Sequence, residues 1–380
     1  MALTTTQEEY TMETTAIRTV SPNGAKKSIT RAFKKKRPLF LWGPPGIGKS
    51  DIVGQITNQL KNSHLIDIRL SLWEPTDIKG IPYFDSNSGT MQWAPPAELP
   101  TEEFAAQFDH IVLFLDEMNS AAPAVQAAAY QLILNRRIGQ YVLPDNVVIV
   151  AAGNRETDRG VTFRMPAPLA NRFRHVNMEV NFDDWKTWAV NNNIHQDVVG
   201  YLSYAKGDLF DFDPKVSSQA FATPRSWTYV SEILNIDGFD QAGLFEQKAE
   251  IAGAVGEGMA NKFMEHRRVS KDLPNPEEIL NGNVKKLNER LSNEISAKYS
   301  LVVGLTYEIN EMYQQNGTKG DFKKCFNNAV RFAYDNFEPE MVILLFKTIM
   351  TDYSIKFNIR TDLDKDVYKV FSERYTKYLV

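Results

Sequence analysis

Gly43-Pro44-Pro45-Gly46-Ile47-Gly48-Lys49-Ser50 fits the pattern G-x-x-x-x-G-K-S/T and stands between the apolar run 38–42 and a segment with helical spacing. No other stretch narrows the fold as far, because strand, glycine-rich turn and helix in that order belong to an α/β domain. The glycines let the backbone wrap a triphosphate with its N–H groups inward, and the start of the following helix adds partial positive charge. Lys49 then reaches the β and γ phosphates and Ser50 offers a hydroxyl to Mg²⁺. The expectation is an ATP and Mg²⁺ site held by Gly43, Pro44, Pro45, Gly46, Ile47, Gly48, Lys49 and Ser50.

A second apolar run, 111–117, ends in two carboxylates, Asp116 and Glu117. One carboxylate suits the metal shell and the other the attacking water, so Asp116 takes the first role and Glu117 the second. The runs 38–42, 65–70, 111–116, 147–152 and 174–178 alternate with helical patterns, which predicts a mainly parallel five-stranded sheet. Asn87, Ser88 and Gly89 divide 80–93 into the arms of an inserted hairpin, and 136–144 reads as another.

Beyond residue 181 strand signals nearly vanish, and 226–236, 247–263, 298–313 and 339–353 carry helical spacing. Pro, Asn and Gly crowd 270–283, which therefore reads as a linker or extended arm. The predicted divisions are a flexible tail over 1–15, the α/β domain over 16–180, a helical lid over 181–265, a linker over 266–283 and a C-terminal helical region over 284–380.

A net charge of −4 gives no overall basic field of the kind that neutralises nucleic-acid phosphates. The run Lys34-Lys35-Lys36-Arg37 is better placed as a solvated helix end, complementing the negative pole of the helix before the first strand. A single cysteine, Cys325, excludes a disulfide framework and points to the cytoplasm. The five histidines show no metal-ligand spacing, which removes a zinc-protease reading. Apolar stretches such as 147–152 and 341–346 fall far short of the roughly 20 residues that span a bilayer, so no membrane insertion is expected.

With the phosphate loop and the strand-end carboxylates in place, residues 16–260 resemble the AAA+ ATPases, and within them most closely the MoxR type. The resemblance makes Asn154, after the run 147–152, the residue that senses the γ-phosphate. It implies that 168–174 (Pro-Leu-Ala-Asn-Arg-Phe-Arg) supplies an arginine to a neighbouring subunit, Arg172 first, with Arg174 left open and Arg155, Arg159 and Arg164 behind them. Ala222-Thr223-Pro224-Arg225-Ser226 resembles the second sensor, in which Arg225 reaches the phosphates from a helix start. The region 73–82 with 93–96 resembles the family's inserted hairpin, whose apolar members here are Ile81, Tyr83 and Phe84. The resemblance further implies a homo-oligomeric ring, a hexamer, that remodels or assembles a protein partner carrying a von Willebrand factor A-like domain. An ATP-driven nucleic-acid motor or loader is the rival expectation.

Overall fold

The structure is a computed structural model that describes residues 18–158, 162–215 and 219–375; the expected tail 1–15 and Arg159 lie outside the described residues. Its strands, in chain order, are β1 (Thr19–Val20), β2 (Leu39–Trp42), β3 (Ser63–Arg69), β4 (Ile81–Asp85), β5 (Thr90–Ala94), β6 (His110–Asp116), β7 (Arg137–Ile138), β8 (Tyr141–Val142), β9 (Val147–Gly153) and β10 (Arg174–Met178). The chain divides into two compact units, each described separately below.

The first unit comprises Met1–Gly43, Val53–Gly153 and Phe163–Glu179 and contains a six-stranded sheet in the order β1-β10-β2-β9-β6-β3. Every pairing in it is parallel. The unbroken apolar runs of β6 and β9 are what a strand covered on both faces requires, and β9 is buried along its whole length. The sheet has one strand more than the five read from the sequence. The extra strand, β1, is two residues long and pairs Thr19 with Asn177 and Val20 with Met178, too short to leave a pattern.

Helix α1 (Pro22–Lys35) leads into β2. Ser21 caps it, its hydroxyl accepting from the Gly24 N–H at 3.3 Å, and Pro22 opens the first turn. Its buried stripe is Ala25, Ile29 and Ala32. Lys36 ends it in the left-handed region, with φ 48. Both expected hairpins are present, β4 with β5 and β7 with β8, each antiparallel. Gln140 in the second donates to Gln92 in the first.

The second unit, Pro44–Ile52, Asn154–Thr162 and Val180–Val380, is helical and takes in the phosphate loop. The helical pattern 247–263 is two helices, Leu244–Val255 and Glu257–Ser270, because Gly256 sits at φ 89 between them. The segment expected as a linker is structured instead. It contains the helix Pro276–Leu280, started by an Asn275 cap and Pro276, and its Ile279 and Leu280 are buried in the same core as Leu301 and Phe326. Asn and Pro act there as helix-start signals rather than as breakers.

Helix Phe182–Asn191 is fastened to a π-helical turn, Thr348–Asp352, by buried charge. Lys186 Nζ lies 3.1 Å from the Asp352 carboxylate, with side-chain exposures of 4% and 6%, and donates to Thr348 Oγ1 at 2.5 Å. Thr187 Oγ1 donates to the same carboxylate at 2.9 Å, and Asn191 Nδ2 donates to the Asp352 carbonyl at 3.1 Å. Burial pushes the Lys186 amine below its ordinary range, and the charge of Asp352 opposes that shift. Among the described residues no helix is long and apolar enough to cross a membrane.

Candidate nucleotide site

Strand order decides where the chemistry gathers. In the sheet β2, β9 and β6 are neighbours, with Trp42 opposite Gly153 and Leu115 opposite Ala151, so their carboxyl ends share one edge. In an open parallel sheet that edge is where ligands bind. The Gly43 N–H donates to the Gly153 carbonyl at 3.4 Å, tying the exit of β2 to the exit of β9. Gly153 itself admits no side chain, since a Cβ there would fall 2.0 Å from Asn119 Oδ1 and 3.0 Å from the Phe40 ring.

Helix α2 (Lys49–Gln59) starts at the motif's lysine. Lys49 is 9% exposed, and its Nζ donates to the Pro44 carbonyl at 2.9 Å and to Asn154 Oδ1 at 3.0 Å. The amine therefore lies over its own loop, beside the residue expected to sense the γ-phosphate. Gly46 and Gly48 have φ of 76 and 86, a region that side chains disfavour. At Gly46 space is closed as well: a Cβ would come within 2.6 Å of Thr223 Oγ1.

Thr223 caps the helix Pro224–Leu234, its hydroxyl accepting from the Ser226 N–H at 3.1 Å. From the first turn of that helix the Arg225 N–H donates to the Gly46 carbonyl at 3.2 Å. The main chain of the expected second sensor thus touches the phosphate loop, while the Arg225 side chain is exposed.

Asp116 ends β6 at 8% exposure. Glu117 follows in the left-handed region, φ 52, which for a residue with a side chain stores about 1–3 kcal/mol of strain. Three hydrogen bonds hold it there: its N–H donates to Asp116 Oδ1 at 2.8 Å, its carbonyl accepts from the Ser120 N–H at 2.9 Å, and its Oε2 accepts from Ser71 Oγ at 2.5 Å. Ser71 was not singled out in the sequence. It sits just past β3, whose Arg69 pairs with Asp116, and nothing in the linear order shows that β3 and β6 are neighbours. Asp67, on the same strand, has its carboxyl pushed up by burial first and by the charge of Asp116 second.

The structure does not bring the expected finger segment to this edge. Arg174 opens β10 opposite Leu39, the first residue of β2, so the segment lies at the amino ends of the strands. Arg174 donates to the Ser28 carbonyl of α1, whereas Arg172 is exposed in the turn before β10. His175 braces that turn: its Nε2 bonds the Ala170 carbonyl at 2.8 Å and its Nδ1 accepts from Trp42 Nε1 at 2.8 Å.

Lys49→Ala removes the loop's cation, and loss of a bond to a charged group costs about 1.5–3 kcal/mol. Nucleotide affinity should fall roughly 10- to 150-fold. A fluorescent-nucleotide titration that finds the variant's affinity unchanged would take Lys49 out of the site.

Residues 38–173 match the AAA domain (dynein-related subfamily). Midasin of Giardia intestinalis is 27% identical over 205 residues, which is 51% of this chain and 4% of midasin, so the chain spans a small part of that relative's length. Among solved structures, one point variant of Thermotoga maritima RuvB is 17% identical with a TM-score of 0.35, over 66% of this chain and 75% of that one. A second variant of the same protein is 16% identical with a TM-score of 0.34, over 70% and 79%. The family match runs from the strand before the phosphate loop to the turn before β10, and that part of the chain is a P-loop ATPase domain of the AAA+ class.

Proposed function

We propose that this ATPase works as a ring of identical subunits, in the manner the MoxR-type resemblance implies, and uses ATP hydrolysis to remodel or assemble a protein partner. Ring formation is common among AAA+ ATPases. Glu117 polarises the attacking water, Asn154 and Arg225 read the γ-phosphate, and Arg172 serves the neighbouring subunit. By the same resemblance, Ser50 and Asp116 are the residues that would hold Mg²⁺. It would supply charge neutralisation at the β and γ phosphates. A hexamer and a von Willebrand factor A-like partner are the finer form of this reading, and the buried free thiol of Cys325 suits a cytoplasmic setting.

The observation that carries the protein partner is the β4–β5 hairpin. It exposes Phe84 (65%) with its cross-strand partner Met91 (60%) on one face and Ile81 (70%) with Tyr83 (50%) on the other, and exposed apolar surface of this kind marks contact with proteins rather than with phosphates. Hydrolysis by the full chain should be stimulated by a permanently unfolded protein, reduced and carboxymethylated α-lactalbumin, and Phe84→Asp should remove the stimulation while leaving basal hydrolysis intact. Stimulation by DNA or RNA alone, unaffected by Phe84→Asp, would replace this reading with a nucleic-acid motor.

A further inference from the structure

We propose that α1 and its C-cap form a binding surface for the phosphodiester backbone of a nucleic acid, separate from the ATPase site and from the hairpin. From Pro22 to Arg37 there is no acidic residue, although the chain carries 47. Lys27, Arg31, Lys34, Lys35, Lys36 and Arg37 are all exposed. Among the described residues none of the six joins an ion pair.

The helix pole accounts for only part of this. Its attraction for cations falls off within the last turn, which here holds Lys34 and Lys35. Lys27 and Arg31 lie before that turn. With Lys34 they follow the spacing i, i+4, i+7, on the face opposite the buried stripe of Ala25, Ile29 and Ala32. Like charges at that spacing repel, so the row weakens the helix unless an outside anion meets it. It extends about 10 Å along the axis from Lys27 to Lys34, and Lys36 and Arg37 continue it. Arg174 reaches the same helix at the Ser28 carbonyl, adding a further cation on its flank.

The chemistry of the face selects the occupant. Protein interfaces are depleted in Lys and centred on apolar or aromatic residues, and this row has none between its cations. A membrane-surface helix needs its apolar side free, and here that side is buried under the sheet. Lys and Arg without aromatic platforms match phosphate contacts that carry no base readout.

The test uses the full chain with a labelled mixed-sequence DNA duplex and a labelled single-stranded RNA, followed by anisotropy from about 50 to 200 mM salt. Log affinity should fall with log salt at a slope of about −3 or steeper, and whichever nucleic acid binds more tightly names the source of the phosphates. The triple variant Lys27→Gln, Arg31→Gln, Lys34→Gln should flatten the slope by about 3 and weaken binding at every salt concentration, with hydrolysis unchanged. A control that removes equal charge elsewhere, Lys285→Gln, Lys286→Gln, Lys356→Gln, should leave the slope as it was. The proposal is overturned if neither nucleic acid binds, or if the control weakens binding equally. It is also overturned if polyglutamate competes as well as the nucleic acids, which would indicate an acidic protein, or if the triple variant alters assembly in sedimentation and not binding. Because binding rather than stimulated hydrolysis is read, failure here leaves the hairpin reading standing.

Discussion

Arg172→Ala should bind nucleotide normally yet lose about 10³–10⁵-fold in turnover, the range for an arginine that meets transition-state charge. The structure supplies the reason to expect this in trans. Both arginines of the segment sit at the amino ends of the strands, whereas Asp116 and Glu117 sit at the carboxyl edge of the same sheet. Arg174 is engaged with the Ser28 carbonyl, which makes the exposed Arg172 the better donor to another subunit. Activity per subunit should then rise with protein concentration. Mixing Arg172→Ala with Lys49→Ala should restore hydrolysis, since a mixed ring can place an intact loop beside an intact arginine. If both variants assemble and exchange subunits, as light scattering and labelled mixing would report, yet every ratio stays at background, Arg172 is not the trans arginine and Arg174→Ala is the next variant.

Glu117→Gln is expected to hold ATP with unchanged affinity while turnover drops about 10²–10⁴-fold. An amide keeps the shape, and its oxygen still accepts from Ser71, so the left-handed backbone at this position need not relax. What is lost is the capacity to attract a proton from water. Single-turnover hydrolysis beside an equilibrium nucleotide titration separates the two effects; a near-normal rate in the first would remove Glu117 as the base.

What could be read in advance were features whose whole signal is contiguous. Gly43–Ser50 is one unbroken stretch of chain, and β10 occupies 174–178 as its pattern indicates. Features made by pairing distant segments were illegible. Ser71 matters only because β3 lies beside β6, and the engagement of Arg174 depends on α1 passing β10. Local signals also misled where tertiary burial overrode them. The segment Pro276–Leu280 looks like a spacer by composition, and its burial of Ile279 and Leu280 against distant helices makes it core. Gly256 has the opposite lesson, since one residue at positive φ splits a helix whose apolar spacing continues through it.

The buried pair Lys186–Asp352 fixes how the helical unit can diverge. Removing one member leaves a charge stranded away from water, at a cost of about 3–5 kcal/mol, so neither helix Phe182–Asn191 nor the turn Thr348–Asp352 is readily exchanged alone. An exchange that keeps the unit folded would therefore have to carry the distal helices together with the helix that opens this unit's long C-terminal run, as a single cassette. Such a cassette tolerates change most readily on its outer surface, where substitutions leave both the ion pair and the Thr223–Gly46 contact undisturbed.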